Sequence, residues 1–316
     1  MASRGGGTKW NREISTSYFK DEDFWTKYLR GRPPLVDGIL DSILAYHTEH
    51  AGQFGTLHEP GAGGAVHSAR ISQRFERAIV TDPSAENIKV ARGRLPEAKY
   101  EFQVSTLEET GTSIPAASVD MVFAATMLHF CDVPRAFEAV AHQLKPGGTF
   151  VALCLGVYVL EDAAAQEAME AFFHTVIRGM IRKVGEGLME RSKTMFYAYD
   201  DLVFPEASFD QRTQGIFWNW NDDPSENWYR FSVPPEYRAR QPPLARVGTQ
   251  AQVLRKVDES LAFEKDMAGL MEHINTFPWD QEDEAQKQAL QRLEALVGDG
   301  TVKGHWLASV IMATRK

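Results

Sequence analysis

Cysteine is almost missing from this chain: 316 residues contain two, Cys131 and Cys154. That is too few for a disulfide framework, and they stand in no C-x-x-C spacing. A reducing, cytoplasmic compartment is therefore expected. Long apolar runs are missing too, with nothing approaching the ~18 residues of a membrane span. The opening MASRGGGTKW has no apolar stretch of the kind that directs secretion. These absences predict a soluble protein that is neither exported nor membrane-bound. No Lys/Arg-rich block occurs and the formal net charge is −9, so the phosphate attraction that dominates nucleic-acid binding has no source. Nucleic acid is not an expected partner, and oligomeric state is not legible.

Several motifs are absent as well. There is no G-x-x-x-x-G-K-[ST], which excludes a P-loop, and no G-x-S-x-G nucleophile turn. The dinucleotide fingerprint G-x-G-x-x-G begins at Gly61 and Gly63 but meets Val66 where its last glycine belongs. A nicotinamide oxidoreductase thus ranks last among the functional readings.

What is present is the composition of a globular protein, 43% hydrophobic and 24% charged, which predicts a buried core. Residues 1–15 are rich in Gly, Ser and charge and read as a flexible arm. Residues 21–46 hold two helical stretches separated by GRPP, whose prolines end one helix or open the next. A regular alternation follows. FGTLHE, RAIVTD, KYEFQVS, SVDMVFAA and GTFVALCL read as strands; a helix over 65–75, AENIKVARGRL and VPRAFEAVAHQL read as the helices between them. Strands that are apolar throughout, joined through helices, predict an α/β fold with a doubly wound, mostly parallel, Rossmann-like sheet.

The alternation stops after residue 156. Met169, Phe172, Phe173, Val176, Ile177, Met180 and Ile181 recur at the spacing of one helix face. A strand is expected near 208–217, then a Trp-rich stretch, helices near 256–275 and 281–297, and a last strand in HWLASVIMATR. Residues 16–155 are thus read as N-terminal helices plus core, 156–275 as an inserted cap containing one core strand, and 276–316 as the end of the core.

In EPGAGGAV, residues 59–66, glycines follow a strand and precede a helix. Bare backbone there lets a ligand approach, though a plain tight turn would read the same. Asp82 ends the next strand candidate, where an acidic side chain meets ribose hydroxyls in open α/β sheets. It could instead cap the following helix, with Ser84 as a rival cap.

Taken in order, EPGAGGA, VTDPSAENIKVAR, FQVSTLEE, SVDMVFAATMLHF and LKPGGTFVAL resemble the motif series of class I S-adenosylmethionine-dependent methyltransferases. Within that superfamily the chain is similar to the small-molecule branch typified by trans-aconitate methyltransferase and fungal natural-product enzymes. FKDEDFWTKYLRGRPPLVDGILDSILAYH resembles that branch's N-terminal Y…RP…YH segment. The likeness covers residues 17–155 well and the remainder loosely. It implies that Glu59, Gly61 and Gly63 underlie the methionine part and ribose of S-adenosylmethionine and that Asp82 holds the ribose. It places Thr106, Leu107 and Glu108 at the adenine, Ala124 and Ala125 at the sulfonium side, and Tyr28 in the segment folding over the cofactor. Glu59 replaces the usual aspartate, Ala62 stands where cysteine is common, and Ala65 stands at the motif's third glycine.

Methyl transfer from a sulfonium is an in-line displacement, so much of the rate can come from alignment. His129, just past the fourth strand, is the best placed base. A hydroxyl acceptor would favour that role, whereas a carboxylate is already ionised and would not need it; simple packing at the strand end is an equal alternative. His47 and His50 lie at helical spacing with nothing to complete a metal shell, so no metal is expected. Phe173, Trp218, Trp220 and Arg230 are the candidates for acceptor binding, and the cap's aromatics suggest a mostly apolar acceptor of modest size. O-methylation of a carboxylate or hydroxyl is the leading expectation. A non-methylating cyclisation or isomerisation on the same fold, or a noncatalytic binding protein, stay open beside it.

Overall fold

A computed structural model describes residues 22–185, 192–220, 233–238 and 251–316. The proposed arm at 1–15, the part of the Trp-rich stretch at 221–232 and with it Arg230 lie outside the described residues.

Five strands come from the segments read as apolar runs: β1 (Thr56–Pro60), β2 (Arg77–Asp82), β3 (Tyr100–Val104), β4 (Val119–Ala125) and β5 (Leu144–Leu160). β1 pairs in parallel with both β2 and β4, β2 with β3, and β4 with β5. Burial of Val122, Phe123 and Val151 on a sheet covered from both sides explains why these runs do not alternate. Four further strands follow: β6 (Gln214–Trp218), β7 (Gln252–Lys256), β8 (Ala262–Lys265) and β9 (Val302–Thr314). The sheet order is β3-β2-β1-β4-β5-β9-β6-β7, with β8 also on β9. The nine-stranded sheet is the expected doubly wound, mostly parallel one, with β9 antiparallel to β5, β6 and β8.

Seven helices matter for the site: α1 (Glu22–Gly31), α2 (Asp37–Glu49), α3 (Ala85–Arg94), α4 (Val133–Gln143), α5 (Ala163–Val184), α6 (Met267–Ile274) and α7 (Glu284–Val297). Ile39 and Ile43 on α2 are fully buried against the core, and each contributes roughly 1.5–3 kcal/mol. Asp162 caps α5 by accepting from the Ala165 amide, and Asp132 caps α4 from the Arg135 amide. On α5, Met169, Phe172, Phe173 and Val176 are buried, as their spacing predicts. α1 packs on α6, and α7 on α5.

Four elements differ from expectation. The helix over 65–75 shrinks to Ser68–Ile71 followed by a 3-10 turn, because Ala65 lies in a left-handed turn at φ 60°. β5 runs to Leu160, beyond the expected end at 155, through an irregularity between Leu155 and Val157. Residues 256–275 are not one helix: the alternating Ala-Phe-Glu-Lys of β8 pairs with β9, and only Met267–Ile274 is helical. The strand near 208–217 spans Gln214–Trp218, with Phe209 making an isolated bridge to Arg315.

β1 lies between β2 and β4, so the direction of winding reverses beside it. In open sheets of this kind the ligand crevice lies at that point, outside the carboxyl ends of the strands.

Candidate active site

The turn after β1 forms the floor of this crevice. Gly61 and Gly63 have φ of 60° and 56°, a region alanine reaches only with strain. A Cβ on Gly63 would lie 2.3 Å from Cη2 of Trp25, and one on Gly61 3.0 Å from Met127. The bare backbone therefore also serves the protein itself, because the α1 indole lies against the turn. Trp25 Nε1 donates to Asn87 Oδ1 at 3.0 Å, which anchors α1 to α3.

Asp82 ends β2 and is buried. Its Oδ2 accepts from the Gly63 amide at 2.9 Å, and its Oδ1 accepts from the Ser84 amide at 2.9 Å and Asn87 Nδ2 at 3.1 Å. Burial raises its pKa, opposed by these three bonds. The cap of α3 is Ser84, which accepts from the Asn87 amide, so capping does not occupy Asp82. Three of the carboxylate's roughly four acceptor sites are filled, which leaves one on Oδ2 for a hydroxyl of a vicinal diol. Glu59, also buried, accepts from the Ser68 hydroxyl, and burial lifts its pKa to about 8.

Beyond β3, Thr106 caps a 3-10 turn with Glu109, Leu107 is buried, and Glu108 accepts from the Asp132 amide at 2.8 Å. That last bond ties the segment after β3 to the segment after β4. At the end of β4, Ala124 is fully buried and Ala125 half-buried.

His129 follows in a 3-10 turn (Leu128–Phe130), half-buried. Its Nδ1 lies 3.3 Å from the Tyr199 hydroxyl, which also accepts from the Leu128 amide at 3.2 Å. Tyr199 is fully buried, with its pKa pushed well above the ordinary value by burial, so it keeps its proton and can donate it to Nδ1. In the tautomer that accepts it, Nε2 of a neutral His129 carries the ring hydrogen. Burial, reinforced by the Arg32 charge, depresses the His129 pKa to about 3.

Tyr28 on α1 packs with Phe24 and Trp25 at ring separations of 5.7 and 5.1 Å. Phe173 on α5 packs on Phe277 at 4.7 Å, and Phe277 in turn lies beneath the Arg32 guanidinium at 4.3 Å. Trp218 and Trp220 lie at and just beyond the end of β6, two strands from β5. Trp218 is buried beneath Lys256, and Trp220 donates to the Ala308 carbonyl at 2.9 Å. Arg230 lies outside the described residues. His47 bonds Thr149 and the Gln53 carbonyl, and His50 the Tyr46 carbonyl. Among the described residues no His, Cys, Asp or Glu group could hold a metal.

Sequence reading missed Trp25, Asn87, Tyr199, Arg32 and His273 in this region. Only Arg32 carried a signal, as the arginine of the RP pair.

A family model described as a methyltransferase domain matches residues 58–152. The chain is 34% identical to the methyltransferase gedG of Aspergillus terreus over 306 residues, covering 94% of this chain and 93% of that one. It is 32% identical to the methyltransferase AacuQ of Aspergillus aculeatus over 298 residues, 93% of both chains. It is likewise 32% identical to a methyltransferase of Claviceps purpurea, over 94% of this chain and 93% of the relative.

Proposed function

Given that the chain belongs to the class I S-adenosylmethionine-dependent methyltransferases, we propose that it methylates an oxygen of a small-molecule acceptor, a carboxylate or an ionised hydroxyl, in the cytoplasm. The observation that carries this reading is the array at the carboxyl edge of the sheet. There Asp82 binds the Gly63 amide, and the neutral His129 holds its Nδ1 against Tyr199.

S-adenosylmethionine, when bound, supplies a methyl group on a positively charged sulfur. In our reading Asp82 takes the ribose hydroxyls, Gly61, Gly63 and Glu59 lie under the methionine part and ribose, and Thr106, Leu107 and Glu108 border the adenine. Ala124 and Ala125 leave room at the crest of β4, and Tyr28 covers the site from α1. Residues 156–275, apart from the strands β6, β7 and β8 that they give to the sheet, form the cap over the acceptor, with residues 16–155 and 276–316 as the core. Phe173 borders the acceptor through Phe277.

His129 has too little proton affinity to deprotonate a neutral alcohol, since efficient bases have a pKa near the working pH. Its Nε2–H is a hydrogen-bond donor, suited to orienting an oxygen that arrives without its proton. Positioning and exclusion of water then account for the rate. Calorimetric titration with S-adenosylhomocysteine tests the cofactor half of the reading: saturable one-to-one binding is expected, and no binding would remove its basis.

A further inference from the structure

We infer that Arg32 is the acceptor-recognition residue, pairing its guanidinium with an anionic oxygen of the methyl acceptor; this rests on the O-methylation reading above. Arg32 follows α1 and reaches across to the segment after α6. Its Nε donates to Thr276 Oγ1 at 2.8 Å, and its Nη1 lies 3.5 Å from the Gly156 carbonyl oxygen. The plane of the group lies over Phe277 at 4.3 Å and near Tyr28 at 5.1 Å. These contacts fix a planar cation between two aromatic rings. β5 is shaped to admit it: Gly156 has φ 129°, and a Cβ there would lie 2.2 Å from Nη1.

No carboxylate among the described residues forms an ion pair with Arg32, whose Nη2 has no protein acceptor there. A half-buried cation without a counter-ion is costly, and an anion that enters the site offsets that cost. Three buried groups that feel its charge carry no negative charge themselves. His273 is fully buried, with Nδ1 donating to the Gly31 carbonyl at 2.9 Å and Nε2 lacking a partner. Tyr158 and Cys154 are buried in β5, and burial keeps their protons on.

Two anions could meet Arg32, the acceptor's oxygen and the carboxylate of the cofactor's methionine. The surroundings favour the first. Arg32 adjoins the β5 extension at Gly156 and the α6 end at Thr276, whereas the glycine turn bonds Asp82 and packs on Trp25. Arg32 also repels a proton from His129, the group placed to face an acceptor.

The test uses the enzyme saturated with S-adenosylhomocysteine and two probes of equal shape, 3-hydroxy-2-naphthoate and 3-hydroxy-2-naphthamide, titrated calorimetrically at pH 7.5. The acid is expected to bind the wild-type complex at least ~10-fold more tightly than the amide. Arg32→Met brings the two within about twofold, while amide binding and S-adenosylhomocysteine affinity stay unchanged; Arg32→Lys keeps part of the preference, since it retains charge without the planar fork. Equal binding of both probes to wild type, or a full preference in Arg32→Met, would overturn the inference. So would a ~10-fold loss of S-adenosylhomocysteine affinity in Arg32→Met with the acid preference intact, which assigns the guanidinium to the cofactor's carboxylate. Should Arg32→Met not fold, the wild-type comparison and Arg32→Lys still decide. A wild-type protein that binds no S-adenosylhomocysteine defeats the underlying methyltransferase reading, a failure distinct from loss of probe selectivity.

Discussion

The Gly63 amide donates to Asp82 Oδ2 across 2.9 Å, joining the turn after β1 to the end of β2 through one carboxylate. The same carboxylate holds Ser84 and Asn87 on its other oxygen. Replacing it with alanine leaves three donors without their acceptor, at roughly 1–3 kcal/mol for each that stays buried and unsatisfied. Asp82→Ala is expected to lower the melting temperature and to weaken S-adenosylhomocysteine binding at least ~10-fold, well beyond a generic loss. Calorimetry on folded protein checks the second effect. Unchanged affinity would remove Asp82 from the cofactor site.

Ala65 holds φ 60°, where an L side chain costs about 1–2 kcal/mol. The motif's third glycine would carry no such cost. Ala65→Gly is therefore expected to stabilise the fold by about 1 kcal/mol after the entropy cost of glycine, read from urea midpoints at constant slope. A destabilised variant would mean that the methyl group of Ala65, which is buried, contributes more by packing than it costs in strain.

Glu59 is buried with a pKa raised to about 8 from 4.5. Between those values the folded protein holds a proton that the unfolded chain has released. Its contribution to stability is accordingly complete below pH 4.5, declines as pH rises, and levels off above pH 8. Glu59→Gln cannot ionise and is expected to flatten that decline. Urea denaturation at pH 5, 6.5 and 8 for both proteins measures it, and parallel pH curves would contradict the assignment.

His129, held neutral with a pKa of about 3, should leave no mark on activity near the ordinary imidazole range. The pH profile of kcat/KM is expected to lack a limb near pH 6.5, and His129→Gln to retain activity within about tenfold. A base would cost about 10²–10⁴-fold on removal. A loss of that size, accompanied by a vanished acid limb, would restore the general-base role.

The core was legible because apolar runs and helix signals repeat at a fixed spacing from Thr56 to Leu155, and each run needs only its own composition to be read. The acidic ends of β1 and β2 could be placed for the same reason. β8 was read as helix because its short alternating segment derives its strand identity from β9, forty residues on, and pairing at that distance leaves no local trace. Arg32, Tyr199 and His273 were missed for a related reason. Arg32 meets Thr276 across 244 positions and Tyr199 meets His129 across 70, so only the folded chain brings these groups together. The glycine turn was read as room for a ligand or as a plain tight turn, since nothing in EPGAGGA reveals that Trp25 lies against it.

The most direct test of the account is transfer itself. Purified enzyme is incubated with isotopically labelled S-adenosylmethionine and a metabolite extract, and products are followed by mass spectrometry. The account predicts label in a small acidic or phenolic acceptor, on an oxygen, with a matching yield of S-adenosylhomocysteine. A product that forms without label, or label found only on carbon or nitrogen, would contradict it.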